Sequence, residues 1–477
     1  MPRSRSTTPL IMSPNRPSAS VRISSREIVC DSVTRLIDVQ ARILPARSAM
    51  PLRRVAVYYG CPGALGGLEP QDTVPSFQAF RRRRIPMSLS RRHFFRNLGL
   101  GSAGLLSTPF IIGRGHEAMA FEAGALQPPD DGGFIRISSN ENARGPGRKT
   151  MDALRNTITP RVGRGYPPDY TGDLVATIAD IYGVGRDHVI VGTGSGPILE
   201  AATRAFCSAQ KPLVTAAPTY GTADQTARRI GAPVKMITVD KSLGLDTDAM
   251  AEAAKGAGMI FFCNPNNPTG TVHGAAAMEK FVRRVKQSSP ETRILIDEAY
   301  IDYTHDAAVK TAVPLAKELS GVFVTRSFSK AHGMAGLRLG YAIGQPETVK
   351  AISSAWSLGS VNTLTAAAGI ASLRDPKHIE EERAENARVR DFTLEAFKSL
   401  GYEAPDCHTN CIFVNLKRPA SQFREACAAL KVHVGRDFPP FEKTHSRITL
   451  GTMDEMRQAV QVFKRVLSAS STSVGAR

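Results

Sequence analysis

Metal-type cysteine spacing is missing from this 477-residue chain: its seven cysteines form no C-x-x-C pair, and an odd five of them (Cys207, Cys263, Cys407, Cys411 and Cys427) lie beyond residue 120. No cysteine zinc site and no disulfide framework is indicated, so the thiols read as buried and inert, with Cys407 and Cys411 as a pair that an oxidising compartment could join. No apolar run reaches the ~20 residues of a membrane span. The best candidate, 98–112, is fifteen residues long and interrupted by glycine. No internal repeat is visible. Lysine is absent from residues 1–120, which carry 18 arginines against 6 acidic residues, so +12 of the formal net charge of +18 sits there. A charge concentrated at one end, without a helix-turn-helix pattern, argues against nucleic acid as the partner.

Residues 1–86 are rich in Arg, Ser and Pro and show neither helical nor strand periodicity, so nothing in them builds a core. A disordered basic arm, a nucleic-acid-binding tail and translated sequence upstream of the true start all fit. The last is favoured, because Met87 opens a complete targeting signal. Arg91-Arg92 stands in an S-R-R-x-F context, a short apolar stretch follows, and Ala118-Met119-Ala120 offers an A-x-A cleavage site. Residues 87–120 therefore read as a twin-arginine signal peptide. The partner implied is the twin-arginine translocase, the mature chain begins near Phe121, and the location is periplasmic or exported, with the cytoplasm as the alternative.

What is present is ample apolar material, 42% of residues, in a regular alternation. The runs 189–191, 212–215, 234–239, 259–263, 293–296, 322–325 and 339–343 read as short buried strands, and 197–209, 222–230, 246–254 and 274–287 as helices between them. This pattern predicts an α/β fold with a mostly parallel seven-stranded sheet, covered on both faces and carrying its chemistry at the carboxyl edge. A helix over 377–400 then leads into strands at 411–416, 432–434 and 447–450 and helices at 421–430 and 453–467. The organisation expected is an N-terminal arm and linker over 121–169, a large domain over 170–375 and a smaller α+β domain over 376–477.

The chemistry concentrates at Ser327-Phe328-Ser329-Lys330, with Arg338 eight positions beyond the lysine. A lysine amine beside small hydroxyls and a phosphate-binding cation suits Schiff-base attachment of pyridoxal 5'-phosphate. Asp297 ends a strand at the sheet's carboxyl edge, where it can keep a pyridine nitrogen protonated. Gly194, Ser195 and Gly196 form a strand-to-helix turn suited to phosphate. Together with Asn264-Pro265-Asn266-Asn267-Pro268-Thr269-Gly270 and Asp297-Glu298-Ala299-Tyr300, these motifs resemble the fold-type I, class I/II aminotransferases, most closely the histidinol-phosphate aminotransferase branch. The resemblance spans about residues 134–467.

The resemblance implies the fold-type I architecture, with Lys330, Asp297 and Tyr300 as the catalytic set. It also implies Asn267 and Tyr300 on the ring's phenolic oxygen, Tyr220 stacked on the ring, and Ser327, Ser329 and Arg338 on the phosphate. Tyr166, in Gly165-Tyr166-Pro167, matches the tyrosine that reaches a neighbour's cofactor, so a homodimer is implied. For substrate, Arg447 and Arg436 match arginines that clamp an anionic group. Asn140-Glu141-Asn142-Ala143-Arg144-Gly145 departs from the branch's N-E-N-P-Y-G, and Asn410-Cys411 from its N-F. Asn142 and Arg144 are the residues there that would meet substrate, Arg144 standing in for the lost tyrosine. The function implied is transfer of an amino group from an amino acid or amino-phosphate to a 2-oxo acid. A decarboxylase or cyclase of the same fold, or a pyridoxal-binding transcriptional regulator, are the alternatives.

Overall fold

The computed structural model describes residues 132–163 and 169–469. The extension at 1–86, the expected twin-arginine signal at 87–120 and Tyr166 lie outside the described residues. Among those described, no helix is long and apolar enough to cross a membrane.

Seven strands form the main sheet: β2 (Val189–Gly192), β3 (Leu213–Ala217), β4 (Val234–Thr238), β5 (Met259–Cys263), β6 (Arg293–Asp297), β7 (Val322–Ser327) and β8 (Gly340–Gly344). Their order is β2-β8-β7-β6-β5-β3-β4, with β8 antiparallel to both neighbours and the other pairings parallel. The central strands carry unbroken apolar runs, Met259–Cys263, 294–296 and 322–324, because both faces are covered. In β5, Ile260 and Phe262 join one core while Met259, Phe261 and Cys263 join the other, as a two-residue period requires. The first core is closed by α2 (Asp169–Tyr182), α5 (Thr247–Ala253), α6 (Ala275–Ser288), α7 (Val313–Glu318) and α9 (Thr363–Leu373). Helices α3 (Ser195–Phe206), α4 (Thr222–Arg229) and α8 (Pro346–Ala355) close the second.

A third core gathers around the antiparallel pair β9 (Cys411–Asn415) and β11 (His445–Thr449), with α10 (Pro376–Ser399), α11 (Ala420–Ala429) and α12 (Met453–Ala469). Ile137 of β1 (Ile135–Ile137) belongs to it, since β1 pairs in parallel with β10 (Val432–Val434). The arm expected before the sheet thus returns to the C-terminal layer.

Strands and helices fall within a few residues of their expected positions. The differences lie at β1, α1 (Arg148–Thr157), α2, α7, α8 and α9, for which the sequence reading had no element. α9 is Ala-rich and buried on several sides, so it carries no clean amphipathic stripe, and α1 buries only Thr150.

Candidate active site

Strand direction gathers the site. The parallel strands β3, β5, β6 and β7 end at one edge, so the loops bearing Tyr220, Asn267, Tyr300 and Lys330 emerge together. Antiparallel β8 begins at that edge, where Gly340 pairs with Ser327 and with Gly192, and this brings in Arg338 and the Gly194 turn. The result is a cleft of about 970 Å³ lined by Ser195, Gly196, Tyr220, Asn267, Asp297, Tyr300, Ser327, Ser329, Lys330, Arg338, Arg436 and Arg447, among others.

Lys330 Nζ donates to the carbonyl of Asn140 at 2.8 Å. Burial lowers its pKa to about 8, helped by the charge of Arg447. Asp297 is 2% exposed and accepts from Thr325 Oγ1 at 2.9 Å. Burial raises its pKa to about 6, against the bonds from Thr325 and the Ala299 amide. Tyr300 Oη accepts from Asn140 Nδ2 at 3.1 Å, and burial holds its pKa well above the usual phenol range.

The turn before α3 and Arg338 form a cradle. Gly194 has φ 90°, and a Cβ there would lie 2.2 Å from Arg338 Nη2. Only glycine admits the guanidinium this close to the helix N-terminus. Arg338, itself left-handed at φ 57°, donates to Ser329 Oγ at 3.4 Å and to the Ala335 carbonyl at 2.9 Å. The Ser327 hydroxyl accepts from the Ser329 amide at 3.1 Å.

At the opposite wall, Arg447 Nη1 donates to Asn267 Oδ1 at 3.0 Å and Nη2 to the Ser138 carbonyl, while its buried Nε has no partner among the described residues. Arg436 and Arg447 share the Phe438 ring, their guanidinium carbons 4.3 and 4.9 Å from its centre. Burial lowers the Arg436 pKa, and the Arg447 charge adds to this. Arg424 and Asp437, also on the cleft, form an ion pair.

Two sequence-based assignments take a different place. Arg144 forms an ion pair with Glu382 of α10 through Nε, at 2.8 Å, and Nη2, and lines a separate hollow. Glu382 is 5% exposed, and a carboxylate so buried holds the arginine as its counter-charge. Asn142 donates to the Ala331 carbonyl at 3.3 Å and lines the same hollow. Within this chain neither reaches the cleft. Conversely, Asn140, Thr325 and Asp437 were not singled out. Asn140 opens the segment 140–145, but its role depends on a left-handed backbone that the sequence there does not reveal.

Away from the cleft, His305, Asp406 and His408 place potential metal-ligand atoms within 4.8 Å of one another. Arg390 Nη1, however, lies 2.9 Å from His305 Nδ1. Since arginine can only donate, the imidazole proton is on Nε2, facing Asp406 at 3.5 Å. His408 Nδ1 is likewise taken, by Thr304 Oγ1 at 3.1 Å.

The cleft fits pyridoxal 5'-phosphate. Asp297 is a buried carboxylate that needs a protonated partner, Lys330 carries an amine of lowered basicity, and the Gly194–Arg338 cradle suits a phosphate.

The family model for aminotransferase class I and II matches residues 133–463. Histidinol-phosphate aminotransferase of Moorella thermoacetica is 29% identical over 364 residues, covering 76% of this chain and 91% of the relative. An aromatic amino acid aminotransferase of Nocardia farcinica is 33% identical over 328 residues, covering 68% and 89%. In structure, the histidinol-phosphate aminotransferase of Sinorhizobium meliloti, solved with pyridoxal-5'-phosphate, superposes with a TM-score of 0.64 at 23% identity over 70% of this chain and 90% of the other. The matched span runs from just before β1 into α12, and over that span the chain belongs to the aminotransferase class I and II family.

Proposed function

We propose that this aminotransferase takes its amino group from an amino acid or amino-phosphate whose anionic end binds between Arg447 and Arg436, and passes it to a 2-oxo acid. The observation that carries the reading is one cleft holding a lysine amine of pKa about 8, a buried carboxylate and an arginine with an unpaired Nε. The cofactor is pyridoxal 5'-phosphate, which supplies an aldehyde for amine capture and a ring that withdraws electrons from the substrate Cα. Lys330 would hold the cofactor through its amine, and that same amine stands as the base and acid for the proton at the substrate Cα. Asp297 would hold a proton at the ring nitrogen. Asn267 and Tyr300 would hold the phenolic oxygen, Tyr220 would cover the ring face, and Gly194, Ser195, Gly196, Ser327, Ser329 and Arg338 would hold the phosphate. Arg447 orients the substrate by charge-assisted hydrogen bonds.

With Arg144 committed to Glu382, anion recognition falls to Arg447 and Arg436. The activities of its relatives make histidinol phosphate and aromatic amino acids the first donors to test. A half-reaction screen of amines against the loaded enzyme, following loss of its visible absorbance, should give turnover with anionic amines that continues only when a 2-oxo acid is added. Carbon dioxide release independent of a 2-oxo acid would favour the decarboxylase reading instead.

The assembly we propose is a homodimer with Tyr166 reaching the neighbour's cofactor phosphate, and the location is outside the cytoplasmic membrane by way of the signal at 87–120. Sizing in solution and mass spectrometry of the native N-terminus test these two proposals. A monomer, or a chain retaining residues before Phe121, would contradict them.

A further inference from the structure

We propose that Asn140 is a positioning residue for the transamination, its side-chain amide fixing the Tyr300 hydroxyl while its main-chain carbonyl fixes the Lys330 amine. The proposal rests on the function assigned above. Asn140 is 1% exposed and has φ 55°, a left-handed conformation that asparagine tolerates better than most residues with a Cβ. Its Nδ2 donates to Tyr300 Oη at 3.1 Å and to Cys411 Sγ at 3.2 Å. Its Oδ1 accepts from Thr449 Oγ1 at 2.9 Å, and its amide donates to the same hydroxyl at 2.9 Å. Its carbonyl accepts from Lys330 Nζ at 2.8 Å and from Asn410 Nδ2 at 3.1 Å.

Every polar atom of the residue is therefore used, and the left-handed turn lets amide and carbonyl serve different partners. Tyr300 and Lys330 stand on separate loops, the amine 5.3 Å from the centre of the tyrosine ring, and Asn140 bridges them. A hydroxyl that accepts a hydrogen bond donates a stronger one, so the amide sharpens Tyr300 as a donor toward the cofactor's phenolic oxygen. Thr449 and Arg447 are two apart on β11 and share a face of that strand. The brace on Asn140 and the clamp on the substrate's anion are thus set by one strand.

Asn140→Gly keeps the positive φ and the carbonyl but removes the amide. Asn140→Asp keeps the shape and replaces the donor by an acceptor. In the loaded enzyme both should lower kcat about 10- to 100-fold, with KM for the donor changed less than about threefold. Both should also move the midpoint of the visible-absorbance titration to higher pH, because a weaker Tyr300 donor stabilises the deprotonated chromophore less. Thr449→Val, which removes the brace from outside the cleft, should shift the midpoint the same way with a kcat loss of about two- to tenfold. It decides the matter should the Asn140 variants fail to fold. An unmoved midpoint in folded variants, whether kcat holds or falls only with cofactor occupancy, overturns the proposal. A wild-type protein with no such visible band would overturn the function assignment, and the positioning role with it.

Discussion

Burial acts on Lys330 and Asp297 in chemically opposite senses, favouring the neutral form of each. For Lys330 the outcome is an amine with a pKa of about 8, against ~10.4 for a free lysine. In cofactor-free protein, Lys330 should react with an amine-acylating reagent with a midpoint near pH 8, read by peptide mapping, while exposed lysines titrate about two units higher. A midpoint equal to theirs would contradict the proposed role. Asp297, at about 6, lies above its unfolded value of ~3.9, so the folded protein binds more protons between those limits and loses stability as pH rises from about 4 to 6. The cost is on the order of 3 kcal/mol at neutral pH. Asp297→Asn should therefore stabilise the cofactor-free protein against denaturant at pH 7 by up to that amount, the gain vanishing near pH 4, while weakening cofactor binding. Equal stability at both pH values would show that Asp297 is not held in a desolvated site.

At the scale of elements, the turn between β2 and α3 is where backbone conformation and charge meet. Gly194→Ala places a methyl on the guanidinium of Arg338 at a φ that alanine resists. Displacing that charge should weaken cofactor binding about 10- to 100-fold, as loss of a charged hydrogen bond does. Equilibrium dialysis measures it, and unchanged affinity would remove Arg338 from the phosphate site. The strands were legible in the sequence because β5, β6 and β7 are apolar on both faces and bounded by turns. The α9 helix was not, because a buried alanine-rich segment has no polar side to set its period. Lys330 and Asp297 could be read from local motifs, since each needs only its own loop. Arg144 could not, because Glu382 lies 238 positions away and only the folded chain brings the two together.

For the whole molecule, the sheet supplies Lys330 and Asp297 while the C-terminal layer supplies Arg447, so the cleft depends on both the sheet and that layer. The arm stitches the sheet's loops to that layer, with β1 paired to β10 on one side and Asn140 bonded to Lys330 and Tyr300 on the other. Removing residues 1–86 should leave cofactor binding and turnover unchanged, since their sequence shows no core-forming period; a large loss would give that extension a part in the fold. The most direct test of the account is borohydride reduction of the purified, cofactor-loaded enzyme followed by peptide mapping. The account predicts reduced pyridoxal phosphate on the peptide bearing Lys330 and none in Lys330→Ala. Label on another lysine, or no stable adduct in the wild type, would contradict it.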